Sequence, residues 1–147
     1  MYGTGQLGMK KFWVYNPHSG GVRIKPADQG RIRERILAYA NKHYSGKFTR
    51  LDIRFRGALV YIDAFTEPHP PSKQLLKLRH ETAEQYFEHM RNWPTHLCRL
   101  RHFSREDGWS VAFYTYSHER YEPCVLHTGS WTGTLEECFE IGATYLT

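Results

Sequence analysis

The sharpest pattern in the chain is the alternation in Arg50-Leu-Asp-Ile-Arg-Phe-Arg56, where Leu51, Ile53 and Phe55 interleave with charges. A period of two is what a strand with one buried side requires. Gly57 turns the chain. Ala58, Val60, Ile62 and Ala64 then form the core side of a return strand, whose other side carries Leu59, Tyr61, Asp63 and Phe65. A tight turn at Arg56 and Gly57 predicts Ile53 opposite Val60, Leu51 opposite Ile62 and Arg50 opposite Asp63.

Aromatic and β-branched runs at 97–103 and 109–117, around Arg105-Glu-Asp-Gly108, predict a second hairpin. A further strand is predicted at 121–127, and Pro123, which has no N–H to donate, confines it to an edge or a bulge. Short strands at 12–15 and 22–25 around Asn16-Pro-His-Ser-Gly-Gly21 read as an opening hairpin.

Helical spacing appears three times. After Pro26, with Asp28 as the predicted N-cap, Ile32, Ile36, Leu37, Ala40 and Tyr44 recur until Gly46. The other side of that helix carries Arg31, Arg33, Arg35 and Lys42, a solvated face. Ser72 caps a stretch using Leu76, Ala83, Phe87 and Met90, as one helix or two, ending at Asn92-Trp-Pro94. Thr134-Leu-Glu-Glu137 is a capping-box pattern, and Leu135, Cys138, Phe139, Gly142 and Leu146 give one face of a terminal helix.

Because strands adjoin strands, the pattern predicts an α+β fold: a mostly antiparallel sheet of five or six strands with about three helices on one face. The uncovered face would carry Arg50, Asp52, Arg54, Leu59, Tyr61, Asp63 and Phe65, too apolar for plain solvent exposure and too charged for a closed core.

Length and composition narrow the class. The chain has 147 residues, 40% hydrophobic and 24% charged, as one ordinary domain would. Residues 1–8 read as an extension outside the fold, leaving 9–147 as the domain. No apolar run approaches the roughly 20 residues of a membrane helix, and the start lacks a secretory signal, so the expected location is cytoplasmic with no membrane partner. Cys98, Cys124 and Cys138 are odd in number and lack CxxC spacing, which argues against a disulfide framework or a structural zinc site. The net charge of +5 favours acidic partners without singling out nucleic acid.

The segments Asn41-Lys-His-Tyr44, Arg50-Leu-Asp-Ile-Arg-Phe-Arg-Gly57, Tyr61-Ile-Asp-Ala64, Ala112-Phe-Tyr-Thr-Tyr-Ser117 and Tyr121-Glu-Pro-Cys124 resemble a group of short bacterial proteins, some carried on mobile integron gene cassettes. The resemblance runs over about 22–146. It implies a bacterial cytosolic origin and brings no catalytic residue with it.

Three constellations carry candidate chemistry. Asp52 and Asp63, predicted on neighbouring strands and one face beside Arg50, Arg54 and Tyr61, could hold a polar ligand or act as acid and base. The bland alternative is a ladder of cross-strand ion pairs, Arg50 with Asp63 foremost. Arg50, Arg54, Arg56, Arg99, Arg101 and Arg105, with Tyr61, Phe103, Trp109, Tyr114 and Tyr116, supply the cations and rings of a single-stranded nucleic-acid surface. His96, Cys98 and His102 on one strand, with Cys124 and His127 on another, form a loose metal set whose spacing suits buried structural residues better.

No nucleophile elbow, phosphate loop, HExxH helix or dinucleotide fingerprint is present, so no catalytic residue, metal or cofactor is assigned. The resulting expectation is a non-enzymatic small-ligand or protein-binding domain acting as a homodimer through the uncovered face. Single-stranded nucleic-acid binding is the first alternative, and a small-molecule enzyme using Asp52 and Asp63 the second. The candidate residues are Arg50, Asp52, Arg54, Leu59, Tyr61, Asp63, Phe65, Arg99, Arg101, Tyr114 and Tyr116.

Overall fold

The computed structural model describes residues 19–146. The expectations for 1–8 and for a strand at 12–15 lie outside the described residues. Its α+β architecture is an antiparallel sheet of five strands in sequential order: β1 (Arg50–Arg56), β2 (Leu59–Phe65), β3 (Thr95–His102), β4 (Trp109–Thr115) and β5 (Arg120–Cys124). Among the described residues four helices accompany it: α1 (Pro26–His43), α2 (Lys73–Arg79), α3 (Ala83–Arg91) and α4 (Leu135–Gly142), the last continued by a 3-10 turn at Ala143–Leu146.

Helices α1 and α4 cover one face. Ile32, Ile36 and Ala40 of α1 meet Leu135, Cys138 and Phe139 of α4 over Ile53, Val60, Ile62, Leu100 and Val111 of the sheet. The reciprocal capping box predicted at Thr134 and Glu137 is formed. Helix α4 approaches β3 so closely that a Cβ on Gly142 would lie 2.7 Å from Cys98 Sγ, so glycine is required there for contact.

Several boundaries differ from expectation. Lys25, not Asp28, is the N-cap of α1, because Pro26 takes a first-turn position where its missing N–H costs nothing. Residues 22–25 form no strand; Val22 and Ile24 instead donate single hydrogen bonds to His102 O and Gly57 O. The 72–91 stretch is two helices. His80 adopts a left-handed conformation, and Thr82 opens α3 with its own capping box to Gln85. Pro123 lies on an edge strand, as its missing donor demands.

The first hairpin keeps its predicted faces but not its register. Gly57 and Ala58 are the two turn residues, so Ile53 pairs with Ile62, Asp52 with Asp63 and Arg50 with Phe65. The shift is two residues. Each side chain therefore stays on its face while its cross-strand partner changes.

Candidate functional site

The uncovered face is organised around one buried charge. Asp63, 2% exposed, sits at the middle of β2. Its Oδ2 accepts from Arg54 Nη1 at 3.0 Å, and the same nitrogen donates to Asp52 Oδ2 at 3.0 Å. Two carboxylates directly across a strand pair would repel, and the guanidinium between them removes that cost. Burial opposes the charge on Arg54, but the hydrogen bond to Asp63 and its field outweigh this and hold the guanidinium pKa above its ordinary value. The predicted Arg50 to Asp63 pair is thus corrected. Arg50 instead lies over the Phe65 ring, 3.7 Å from its centroid, because the real register places those two opposite each other.

The other carboxylate oxygen, Oδ1, lies 2.8 Å from His96 Nδ1. The strand period predicts His96 on the same side as Cys98, yet the two part company. Pairing between β2 and β3 steps from Ile62 with Cys98 to Asp63 with His96, leaving Leu97 as an extra residue in the bulge. Leu97 and Cys98 both enter the core, and His96 turns to the open face beside Asp63. The adjacent apolar pair Leu97-Cys98, which breaks the alternation, is the signal that marks this bulge. Burial pushes the Cys98 thiol far up, making it an inert core residue.

Around the dyad runs a chain of rings. The His96 ring is 4.7 Å from Tyr114, which is 4.8 Å from Tyr116 and 5.0 Å from Tyr121; Tyr121 is 5.5 Å from Tyr61. The backbone N–H of His96 donates to the Tyr116 hydroxyl at 2.7 Å, pinning that ring near the histidine. Burial, reinforced by the Asp63 charge, raises the Tyr121 phenol and keeps it neutral. Two guanidiniums flank the rings: Arg54 is 5.7 Å from Tyr61 and Arg99 5.6 Å from Tyr121. Arg54, Tyr61 and Arg99 occupy one cross-strand row, and Leu59 pairs with Arg101 in the next, so the arginines of the second hairpin share the face of the first.

A cleft of about 470 Å³ opens beside the dyad, lined by Trp93, Pro94, His96, Tyr114, Tyr116 and Glu119. Trp93 is 58% and Tyr116 47% exposed, large apolar surfaces at the mouth of a concavity. The cleft bounded by Pro68 and His69, about 590 Å³, contains neither Asp52 nor Asp63. A wider depression between α2 and α3, about 740 Å³, holds none of the predicted site residues.

Of the predicted residues, Tyr114 and Tyr116 line the cleft, Asp63 reaches it only through His96, and Arg54, Asp52 and Tyr61 lie in contact behind them. Arg50 and Phe65 pair off separately, and Leu59 and Arg101 lie toward the hairpin turn. His96, Trp93 and Glu119 are the additions. Among the described residues, no three His, Cys, Asp or Glu side chains are grouped to hold a metal ion. No helix there is long and apolar enough to cross a membrane. No family model, curated protein or solved structure matches the chain.

Proposed function

We propose that this protein is a small-ligand-binding domain whose site is the aromatic cleft at His96, Tyr114 and Tyr116. The observation that carries the reading is Asp63, a buried carboxylate held by Arg54 on one oxygen and by His96 on the other, with His96 itself lining a ring-walled concavity. Burying a charge is costly unless its partners are well placed. Here the expense leaves an oriented imidazole at a cleft large enough for a small organic molecule. Exposed faces of Trp93 and Tyr116 favour a flat ligand.

A homodimer seam on the same face has less support. Phe65 is already covered by Arg50, and Tyr61 by Arg54 and Tyr121, so these two rings offer little apolar surface to a second copy. Single-stranded nucleic acid is favoured by one observation, the Arg54-Tyr61-Arg99 row with its flanking ring contacts. The integron-cassette likeness and a cytoplasmic setting remain part of the proposal and add no residue to it.

The test is a panel of small aromatic acids, phenols and ketones titrated into ¹⁵N-labelled protein. Binding should move the Trp93 indole N–H and the backbone signals of His96 and Tyr116, and Tyr114→Ala should abolish the shifts. Shifts confined to other regions, or none with any member, would reject the site. A parallel salt series with single-stranded oligonucleotides decides the second reading: log affinity should fall linearly with log salt if phosphates are bound. Protein mass in the same samples gives the oligomeric state.

A further inference from the structure

We propose that His96 is a catalytic base, held by Asp63, that removes a proton from the carbon next to the carbonyl of a small, flat ketone; the proposal rests on the ligand-binding reading of the cleft. An ionised carboxylate only accepts hydrogen bonds. Asp63 Oδ1 facing Nδ1 at 2.8 Å therefore places the proton of the neutral imidazole on Nδ1, while Oδ2 is occupied by Arg54. Nε2 keeps its lone pair on the side of the ring away from Asp63. No described residue hydrogen-bonds to it, and His96 lines the cleft. A carboxylate fixing the tautomer and orientation of a histidine base is a recurrent acid–base arrangement.

The lining decides the kind of step. Among the described residues it contains no Ser, Thr, Cys or Lys, so a covalent intermediate on those side chains has no nucleophile there. It does contain Tyr114, whose hydroxyl makes no hydrogen bond with any described residue and is free to donate to a ligand oxygen. In the proposed step Nε2 takes the proton and the C–H bond breaks. The electron pair moves into the carbon–carbon bond as the carbonyl opens to an enolate, and Tyr114 donates a hydrogen bond to the oxygen that gains the charge. Return of the proton from Nε2–H to the same or a conjugated carbon completes an exchange or isomerisation with no redox change. The groups facing the imidazole are Asp63 and Arg54 behind it, Tyr114 and Tyr116 beside it, and Glu119 at the rim.

The experiment uses the full chain with acetophenone, a flat ketone with exchangeable methyl protons, in D₂O. Binding is read from the Trp93 and His96 signals, and deuterium uptake from the methyl resonance. Uptake should exceed buffer background and fall on the order of 100-fold in His96→Gln, the lower range for loss of a general base. Tyr114→Phe should cost about 100-fold, as for an oxyanion donor. Long-range ¹H–¹⁵N spectra should show His96 protonated at Nδ1 in the neutral ring, and Asp63→Asn should mix the tautomers, because an amide there can donate as well as accept. Binding without uptake, or uptake unchanged in His96→Gln, overturns the catalytic assignment alone. An Nε2-protonated His96 does the same without needing a substrate, and so keeps the test intact if Asp63→Asn does not fold. Failure of acetophenone and of the whole panel to bind rejects the site reading, and the proposal with it.

Discussion

The two faces of the sheet bury their residues by different means. On the covered face, α1 and α4 bring Ile36, Leu135 and Phe139 down onto Ile53, Ile62 and Leu100 in an apolar contact, with polar bonds such as Arg35 to Glu136 only at its margin. On the open face none of the described helices provides cover. Long side chains lie down instead: Arg50 over Phe65, Arg54 beside Tyr61 and Arg99 beside Tyr121. Arginine can do this because its methylene stem and flat guanidinium cover a ring while the charge stays near water. Under that layer Asp63 is as buried as a core leucine, but hydrogen bonds and not packing keep it there. One face is therefore held chiefly by the hydrophobic effect. The other is held by a polar network that stays reachable from a cleft, which is where chemistry can occur.

Four measurements would break or sharpen this contrast. The largest loss is expected on the covered face: Phe139→Ala should cost about 3–5 kcal/mol in chemical denaturation, through lost transfer energy and a cavity. Asp63→Asn should cost about 1–3 kcal/mol, because it removes the charge that Arg54 and His96 are placed to meet. A loss near zero there would show that the open-face network contributes nothing to stability.

The third measurement concerns pH. Tyr39 and Tyr44 both donate to Glu140 where α1 meets α4. Burial, then the hydrogen bond to Glu140, pushes the Tyr44 phenol up from 10.0 to about 12, and Tyr39 is raised by the same causes. The folded state thus holds these protons more tightly than the unfolded chain. The resulting stability is fully present below pH 10 and is lost as pH rises through about 12. The urea midpoint should fall across that window in the wild type and less steeply in Tyr44→Phe. The smallest effect is expected at the cleft: Tyr114→Phe should change stability by less than about 0.5 kcal/mol, as a hydroxyl without a protein partner implies. A larger loss would mean that this hydroxyl is structural and not available to a ligand.

What could be read in advance depended on how local the cause was. The alternation in 51–55 and 58–64 assigned both faces of the first hairpin correctly even though its register was wrong by two, because a shift of two preserves the side of every residue. Ser72, Thr134 and Pro123 were legible for the same reason, since a cap or a missing N–H acts within a few residues. Asp63 was recognisable as a candidate, but its partners were not. A tight turn puts Arg50 opposite it, yet Arg54 is the one that reaches it, and the strand period that puts His96 beside Cys98 is interrupted by the bulge.

The sequence by itself determined most of the elements, the α+β class, the apolar face and the presence of two carboxylates and several arginines on the opposite one. Only the tertiary structure decided strand order, the bulge at Leu97, and hence that Asp63, His96 and Tyr114 meet at one cleft. The physical reason is distance along the chain. Periodicity and capping are set by neighbours within one or two turns, whereas Asp63 and His96 are 33 residues apart. Their meeting depends on which strands pair and in what register, and that is chosen by the packing of the whole sheet.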